Sequence, residues 1–242
     1  YTVKDTLSLH DALPILDWRE TQVLVKANFA LALAADQATC EIPFGAIDHP
    51  TRPRTPQEKA KWEVPALRWA DLSQPGSGVS ILTDAKHGFD LGPDRLRLTL
   101  LKAPLWPNPG ADRGQHRITY SIYPHGGDWR QAGTVRRAIA LNQPLRVWPL
   151  EVLPGGTLPP CHSFWKGGQC GILAALKKAE SGQGYVARCY EPHGQSVNFD
   201  WAGICDLSPQ HGLDLLETPT GSVSPQLSPW CIQTIGLGDR SD

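Results

Sequence analysis

Ala111-Asp112-Arg113-Gly114, with His116 two residues on, brings an acid, a forked cation and an imidazole into one short stretch. The planar guanidinium of Arg113 is able to hold two oxygen atoms at once. Pro and Gly bound the stretch, so it reads as a loop. A second candidate is Asp84, in the run GVSILTDAKHGFD over residues 78–90. This run reads as a strand followed by a tight turn bearing Asp84, Lys86 and Gly88. A carboxylate on such a turn either caps nearby backbone N–H groups or holds ligand hydroxyls, which demand fixed partners. For both stretches the bland alternative stays open: a loop whose charges merely order itself.

Other chemistry finds little support. The chain has eight histidines, none of them in an H-E-x-x-H or similar pattern. His116 and His125 flank a strand at a poor spacing for shared ligation, so no metal site is expected within this chain. No nucleophile elbow, P-loop or dinucleotide fingerprint occurs. The six cysteines include no C-x-x-C pair. Cys40, Cys189, Cys205 and Cys231 lie in apolar runs and are expected to be free, buried thiols. Nine tryptophans are many for this length. Trp18, Trp62, Trp69 and Trp201 read as core or interface; Trp106 and Trp129 read as the more exposed pair.

The elements that must position these residues are mainly strands. Val23, Val25, Ala27, Phe29, Leu31 and Leu33 fall on one face of a period-two pattern. Leu96, Leu98 and Leu100 alternate with Arg95, Arg97 and Thr99. Ile118, Tyr120 and Ile122 form another face, and Val197, Phe199, Trp201, Gly203 and Cys205 a fourth. Such half-buried strands suit antiparallel sheets. Turn residues punctuate them at 75–78, 91–94, 108–112 and 124–127. One helix is expected, with Asp128 as cap, Gln131 in the capping-box place and an end at Asn142. The run from Ile172 to Ala179 is ambiguous by pattern, and its Ala, Leu and Lys content favours helix. The expected fold is mainly β: antiparallel β-sandwich domains with at most one or two short helices. The Pro- and Gly-rich stretch 149–160 separates a larger part, 17–148, from a smaller one, 161–242.

The chain of 242 residues is 40% hydrophobic with a formal net charge of −1. That balance leaves no electrostatic footprint for nucleic acid and no basic patch for an acidic membrane surface. No apolar run is long enough to span a bilayer. The first residues read as foreign. Thr6 to Ile15, TLSLHDALPI, matches a conceptual translation of a common DNA-sequencing adapter, so residues 1–15 are expected to be non-native and to offer no partner to the strands.

Several small motifs recur in one fixed order. Pro50, Thr51, Trp62, Glu63 and then Trp69-Ala70-Asp71-Leu72-Ser73 are followed by the 78–90 run and by LLKAPLWPNPGADRGQHRITYSIYPH over 100–125. From about Asp17 to the end, this order resembles the C-terminal β region of glycoside hydrolase family 38 α-mannosidases, in their bacterial and cytosolic branch. Between His49 and Thr55 the chain departs from the commoner pattern, where a histidine and asparagine often follow the threonine. Lys178, Glu180, Arg188, Tyr190 and Glu191 resemble the end of the same region and read as structural.

The resemblance implies a parent enzyme that is a retaining α-mannosidase acting on mannose-containing oligosaccharides. It implies a zinc ion and an Asp nucleophile, both supplied by an N-terminal catalytic domain upstream of this chain. That domain is then a partner, and the chain itself carries no cofactor and no catalytic residue. Asp84, Asp112, Arg113 and His116 become candidates for the rim of the sugar site. The resemblance also turns the Ile172 run toward strand and implies a cytoplasmic location. A homo-oligomer is left open. The rival reading is a stand-alone carbohydrate-binding β-sandwich module.

Overall fold

The structure, a computed structural model, describes residues 10–149, 163, 165, 171–199, 201 and 207–238. The chain divides into two compact units, residues 1–146 and 147–242. The first unit holds a six-stranded antiparallel sheet. Its spatial order is β1 (His10–Ala12), β12 (Tyr120–Gly126), β8 (Ser77–Thr83), β7 (Trp69–Gln74), β4 (Gln37–Ile42) and β5 (Gly45–Pro50). Facing it is a four-stranded sheet of β3 (Val25–Ala30), β10 (Arg95–Leu101), β9 (Gly88–Gly92) and β6 (Val64–Pro65). A short ribbon pairs β2 (Ile15–Trp18) with β11 (Gly114–Arg117).

Alternation explains the packing. Cys40, Ala70, Leu72 and Ile81 of the larger sheet meet Phe89, Leu96, Leu98 and Leu100 of the smaller in one buried cluster. Successive side chains on a strand point to opposite faces, so the residues between them form the outer faces. On β10 those are Arg95, Arg97 and Thr99, which face solvent or its edge. Helix α1 (Pro56–Lys59) is a single turn held by a capping box between Thr55 and Glu58. Helix α2 (Thr134–Asn142) lies on β8 and β7, against the outer face of the six-stranded sheet.

The second unit has a five-stranded antiparallel sheet. Its order is β13 (Ile172–Lys178), β14 (Tyr185–Tyr190), β19 (Ile232–Gly238), β16 (Ser208–Leu213) and β17 (Pro219–Gly221). A two-stranded ribbon joins β15 (Val197–Asn198) to β18 (Gln226–Leu227). Ala187, Cys189, Ile235 and Leu237 pack with Phe199, Trp201 and Leu227. Glu191 is fully buried and anchors this unit: its carboxylate accepts hydrogen bonds from the backbone N–H groups of His193, Gly194, Gln195 and Trp230.

The mainly β, antiparallel fold stands as the sequence reads, with local corrections. Helix α2 starts six residues after Asp128. The Asp128 carboxylate instead caps a turn, accepting from the N–H groups of Arg130 and Gln131. Gly133, at a left-handed φ of 67°, precedes the helix, which is the conformation glycine tolerates best. The Ile172 run is a strand, as the resemblance implied, because pairing with β14 outweighs its helical propensity. Residues 124–126 extend β12 rather than turn. Val23 is 40% exposed and lies before β3. Trp62 is exposed and Trp129 buried, the reverse of the expectation: Trp129 is covered because its ring meets Trp69 at 4.9 Å under α2. Residues 10–12, expected to find no partner, pair with β12 at its free edge. Cys40 and Cys189 are buried free thiols, while Cys231 is half-buried. Burial, with Asp48 and Asp71 nearby, pushes the Cys40 thiol up to about 12. Cys161, Cys170 and Cys205 lie outside the described residues.

Candidate functional site

The loop joining β10 to β11 is built around Asp112. Its Oδ2 accepts hydrogen bonds from the backbone N–H groups of Lys102 and Ala103, both at 2.9 Å. Those two bonds, with smaller help from Lys86 and His116, hold its carboxyl below the usual aspartate range. Asp112 has φ 60°, a left-handed conformation that Asp tolerates better than most residues. The Nε2 of His116 donates to the Asp112 carbonyl at 2.8 Å. The Gln22 N–H donates to the Ala103 carbonyl at 2.7 Å, fastening the loop to the chain before β3.

Arg113 sits on this scaffold with a different status. Its N–H donates to the Gly110 carbonyl, closing the turn. Its side chain is exposed, and no hydrogen bond or ion pair ties the guanidinium to another described residue. A long cation on a fixed loop is placed to reach outward. Asp84 is also exposed, but the turn after β8 is capped by its neighbour: Thr83 Oγ1 accepts from the Lys86 N–H at 3.1 Å. The Asp84 N–H reaches the Thr119 carbonyl, just after β11, at 3.4 Å, and the Lys86 ammonium of the same turn lies near enough to act on the Asp112 carboxyl. The four candidates therefore share one end of the first unit. Two of them, Asp112 and His116, are committed to holding the loop; Arg113 and Asp84 remain outward. Lys86 joins them, and its place in the same turn as Asp84 was its signal in the sequence.

Beside this loop lies an open groove of about 490 Å³. Gln22, Glu63, Lys102, Leu105 and Trp106 line it. Trp106 is 85% exposed, so its indole face is available. Burial raises the Glu63 carboxyl, but the Lys26 ammonium at 2.8 Å and the Thr99 hydroxyl outweigh it and hold the group below its ordinary value. An aromatic face beside a carboxylate, an ammonium and an amide is a surface that suits a polyhydroxyl ligand.

A second polar constellation escaped the sequence reading. On the outer face of the six-stranded sheet, His125 Nε2 lies 2.7 Å from Asp71 Oδ2, and Ser80 Oγ donates to the same oxygen at 2.7 Å. The Thr134 hydroxyl is 2.9 Å from Ser80, and Ser73 donates to the other Asp71 oxygen. Asp71, Ser80, His125 and Thr134 are all at most 5% exposed, sealed under α2. A Ser, His and Asp in contact invite a triad reading. Here Asp71 contacts both others directly and no substrate can reach Ser80, so the cluster fixes α2 to the sheet. Its signal was the spacing of Asp71, Ser80 and His125 on strand faces opposite the apolar residues.

Zinc does not fit. Among the described residues no three His, Cys, Asp or Glu side chains converge to hold a metal ion. Among the described residues, too, no helix is long and apolar enough to cross a membrane.

The fold and these loops define a pair of antiparallel β units. Residues 14–110 match the glycosyl hydrolases family 38 C-terminal domain, and residues 172–235 match the family 38 C-terminal β-sandwich domain. The chain belongs to this family, as part of its C-terminal region. It is 37% identical over 210 residues to alpha-mannosidase 2C1 of Homo sapiens, an alignment covering 84% of this chain and 20% of that protein. It is 33% identical over 187 residues to alpha-mannosidase G of Dictyostelium discoideum, covering 77% of this chain and 17% of that protein. The crystal structure of an alpha-mannosidase from Enterococcus faecalis V583 shares the fold, with a TM-score of 0.78 at 16% identity, over 93% of this chain and 27% of that one. The chain thus spans about a fifth of the length of the curated relatives it matches.

Proposed function

We propose that this chain is the C-terminal β region of a retaining α-mannosidase that removes terminal α-mannosyl residues from oligosaccharides. The observation that carries this reading is the 37% identity to a protein named alpha-mannosidase across most of the chain. In a retaining glycosidase one carboxylate attacks the sugar to form a covalent intermediate, and a second group delivers protons and activates water. Those roles, and the zinc ion, are assigned to an N-terminal catalytic domain. The contribution of the present residues is positional. The loop fixed by Asp112 presents Arg113 at the rim of the sugar site, where its fork holds two hydroxyl oxygens of the substrate. Asp84 and His116 belong to the same rim. A cytoplasmic location is proposed with the same reading.

The test is to join the complete reading frame to this chain and assay an aryl α-mannoside with zinc. The joined protein is expected to turn over and residues 16–242 alone to be inactive. Zinc-dependent turnover by the fragment above an empty-vector control overturns the assignment. The exposed Trp106 groove supports a second reading, a non-catalytic carbohydrate-binding module. An unrelated upstream domain in the reading frame favours that alternative.

A further inference from the structure

Two short segments of the first unit hold apolar side chains out in solvent on a fixed backbone. Residues 19–24 lead from β2 into β3, and residues 102–107 leave β10. One hydrogen bond joins them, from the Gln22 N–H to the Ala103 carbonyl at 2.7 Å. Both of these residues are left-handed, with φ of 56° and 46°, and so is Asp112, which holds the Lys102 and Ala103 N–H groups. Among the described residues, three of the six non-glycine positions with positive φ thus meet at this junction. Such backbone persists only where its surroundings over-determine it. Upon it stand Leu24, Leu105 and Trp106, which are 46%, 45% and 85% exposed and line the groove beside the loop. Together they expose on the order of 400 Å² of mainly apolar surface, the scale at which a patch on a soluble protein marks a contact site. Of the charged residues lining the groove, Glu63 is already paired with Lys26 at 2.8 Å, and only Lys102 is open among the described residues. An aromatic and aliphatic centre with little free charge is the make-up of an interface core.

The place of this patch points to its occupant. The family match begins at residue 14, directly before β2, so a domain upstream of the match joins the unit at β2. That point is fastened to the site end: β2 pairs with β11, the strand into which the Asp112 loop runs, and the Ile118 N–H donates to the Pro14 carbonyl. From Pro14 to Gln22 is about eight residues, at most about 29 Å of extended chain. The patch therefore lies within about one small-domain diameter of the attachment. A second exposed apolar cluster, Ile42, Phe44 and Ile47, sits on the β4–β5 hairpin, at the edge of the six-stranded sheet opposite to β12, the strand that follows β11.

We propose that the Leu24, Leu105 and Trp106 surface is the seat of the parent protein's own N-terminal catalytic domain. The proposal rests on the function proposed above. Interfaces between domains of one chain run to roughly 600–1,500 Å², and this patch supplies the apolar centre of one. One loop then has two tasks: near its start Leu105 and Trp106 dock the domain, and at its end Arg113 is carried to the sugar site. Docking and an open carbohydrate platform exclude each other, because one indole face cannot be covered by protein and free for a sugar.

The test is hydroxyl-radical footprinting, read by mass spectrometry, of the 242-residue chain and of the protein from the complete reading frame. Trp106 is expected to oxidise readily in the chain and at least ten-fold more slowly in the complete protein, with Phe44 little changed. Trp106→Ala is expected to leave the melting of the chain unchanged and to lower that of the complete protein by several degrees, with Trp106→Phe restoring part of the loss. Equal oxidation of Trp106 in the two proteins overturns the proposal. So does a Trp106 already slow to oxidise in the chain alone, or equal protection at Phe44. Protection of Trp106 in the chain by millimolar mannotriose favours the binding module and likewise overturns docking. An aryl α-mannoside assay on the complete protein reports separately on the function: inactivity with Trp106 protected counts against the activity and supports the seat, and activity with Trp106 open does the reverse.

Discussion

Two regions of the first unit hold similar side chains to different ends. Behind α2, Asp71, Ser80, His125 and Thr134 bond to one another in a buried space. Around the β10–β11 connection, Asp112, Arg113 and His116 stand at the surface. By residue type the buried group looks the more reactive. Access reverses that judgement. Every strong bond of the buried group is internal, so its chemistry goes into holding a helix on a sheet. In the exposed loop two groups do that work and leave the third facing outward. A polar constellation is read by what remains uncommitted, more than by which residues are present.

This contrast is sharpened first by breaking the buried group. Asp71→Ala leaves Ser80 and His125 without their shared acceptor in a sealed space, and the half-buried Ser73 without its partner. Such losses cost about 1–3 kcal/mol for each unsatisfied group, so a loss of about 3 kcal/mol or more is expected, read by denaturant unfolding. A cost below about 1 kcal/mol would mean that water reaches the cluster and that it is not sealed. Glu191→Ala in the second unit is the parallel case, with four N–H donors left behind. It is expected to cost about 2–4 kcal/mol by the same reasoning.

Asp112→Ala is expected to cost less, about 1 kcal/mol, because its bonds are half-exposed to water. The sign of its pH dependence follows from the lowered carboxyl. Its stabilisation is complete above the unfolded aspartate value near 4, and fades as pH falls through the lower folded value. The difference in melting temperature between parent and variant is therefore expected at pH 7 and expected to shrink as pH falls below the unfolded aspartate value of about 4. A difference that persists undiminished in acid would separate the effect from the carboxylate. Smaller still is the effect of starting the chain at Pro14. The three-residue β1 pairs only at the edge of β12, so a change within about 0.5 kcal/mol is expected. A loss above about 1 kcal/mol would show that the leading residues pack as part of the sandwich.

Much of this was legible in sequence because strands announce themselves by alternation. Leu96, Leu98 and Leu100 gave β10 its buried face, and Asp112-Arg113 marked the loop. What stayed hidden depended on contacts between distant segments. Trp62 and Trp129 exchanged expected places because burial of Trp129 needs α2 and Trp69 around it. The helix start moved because Asp128 capped a turn first. Asp71 and His125 are far apart in sequence and meet only through the register of β7, β8 and β12. Nor does any local pattern say that Glu217 crosses a sheet to reach Lys177.

The contrast between committed and outward groups is tested most directly at Arg113. Its truncation is expected to leave stability nearly unchanged. In the full-length α-mannosidase proposed above, losing the proposed charged hydrogen bond to the sugar is expected to cost roughly 1.5–3 kcal/mol, about ten- to a hundred-fold in kcat/KM. The measurement is kcat/KM for an aryl α-mannoside with thermal melting alongside, for Arg113→Ala and Arg113→Lys. The account predicts unchanged melting, a fall of that size for Ala, and partial rescue by Lys, which keeps the charge but loses the fork. Early melting of Arg113→Ala with full kcat/KM per folded molecule would contradict it.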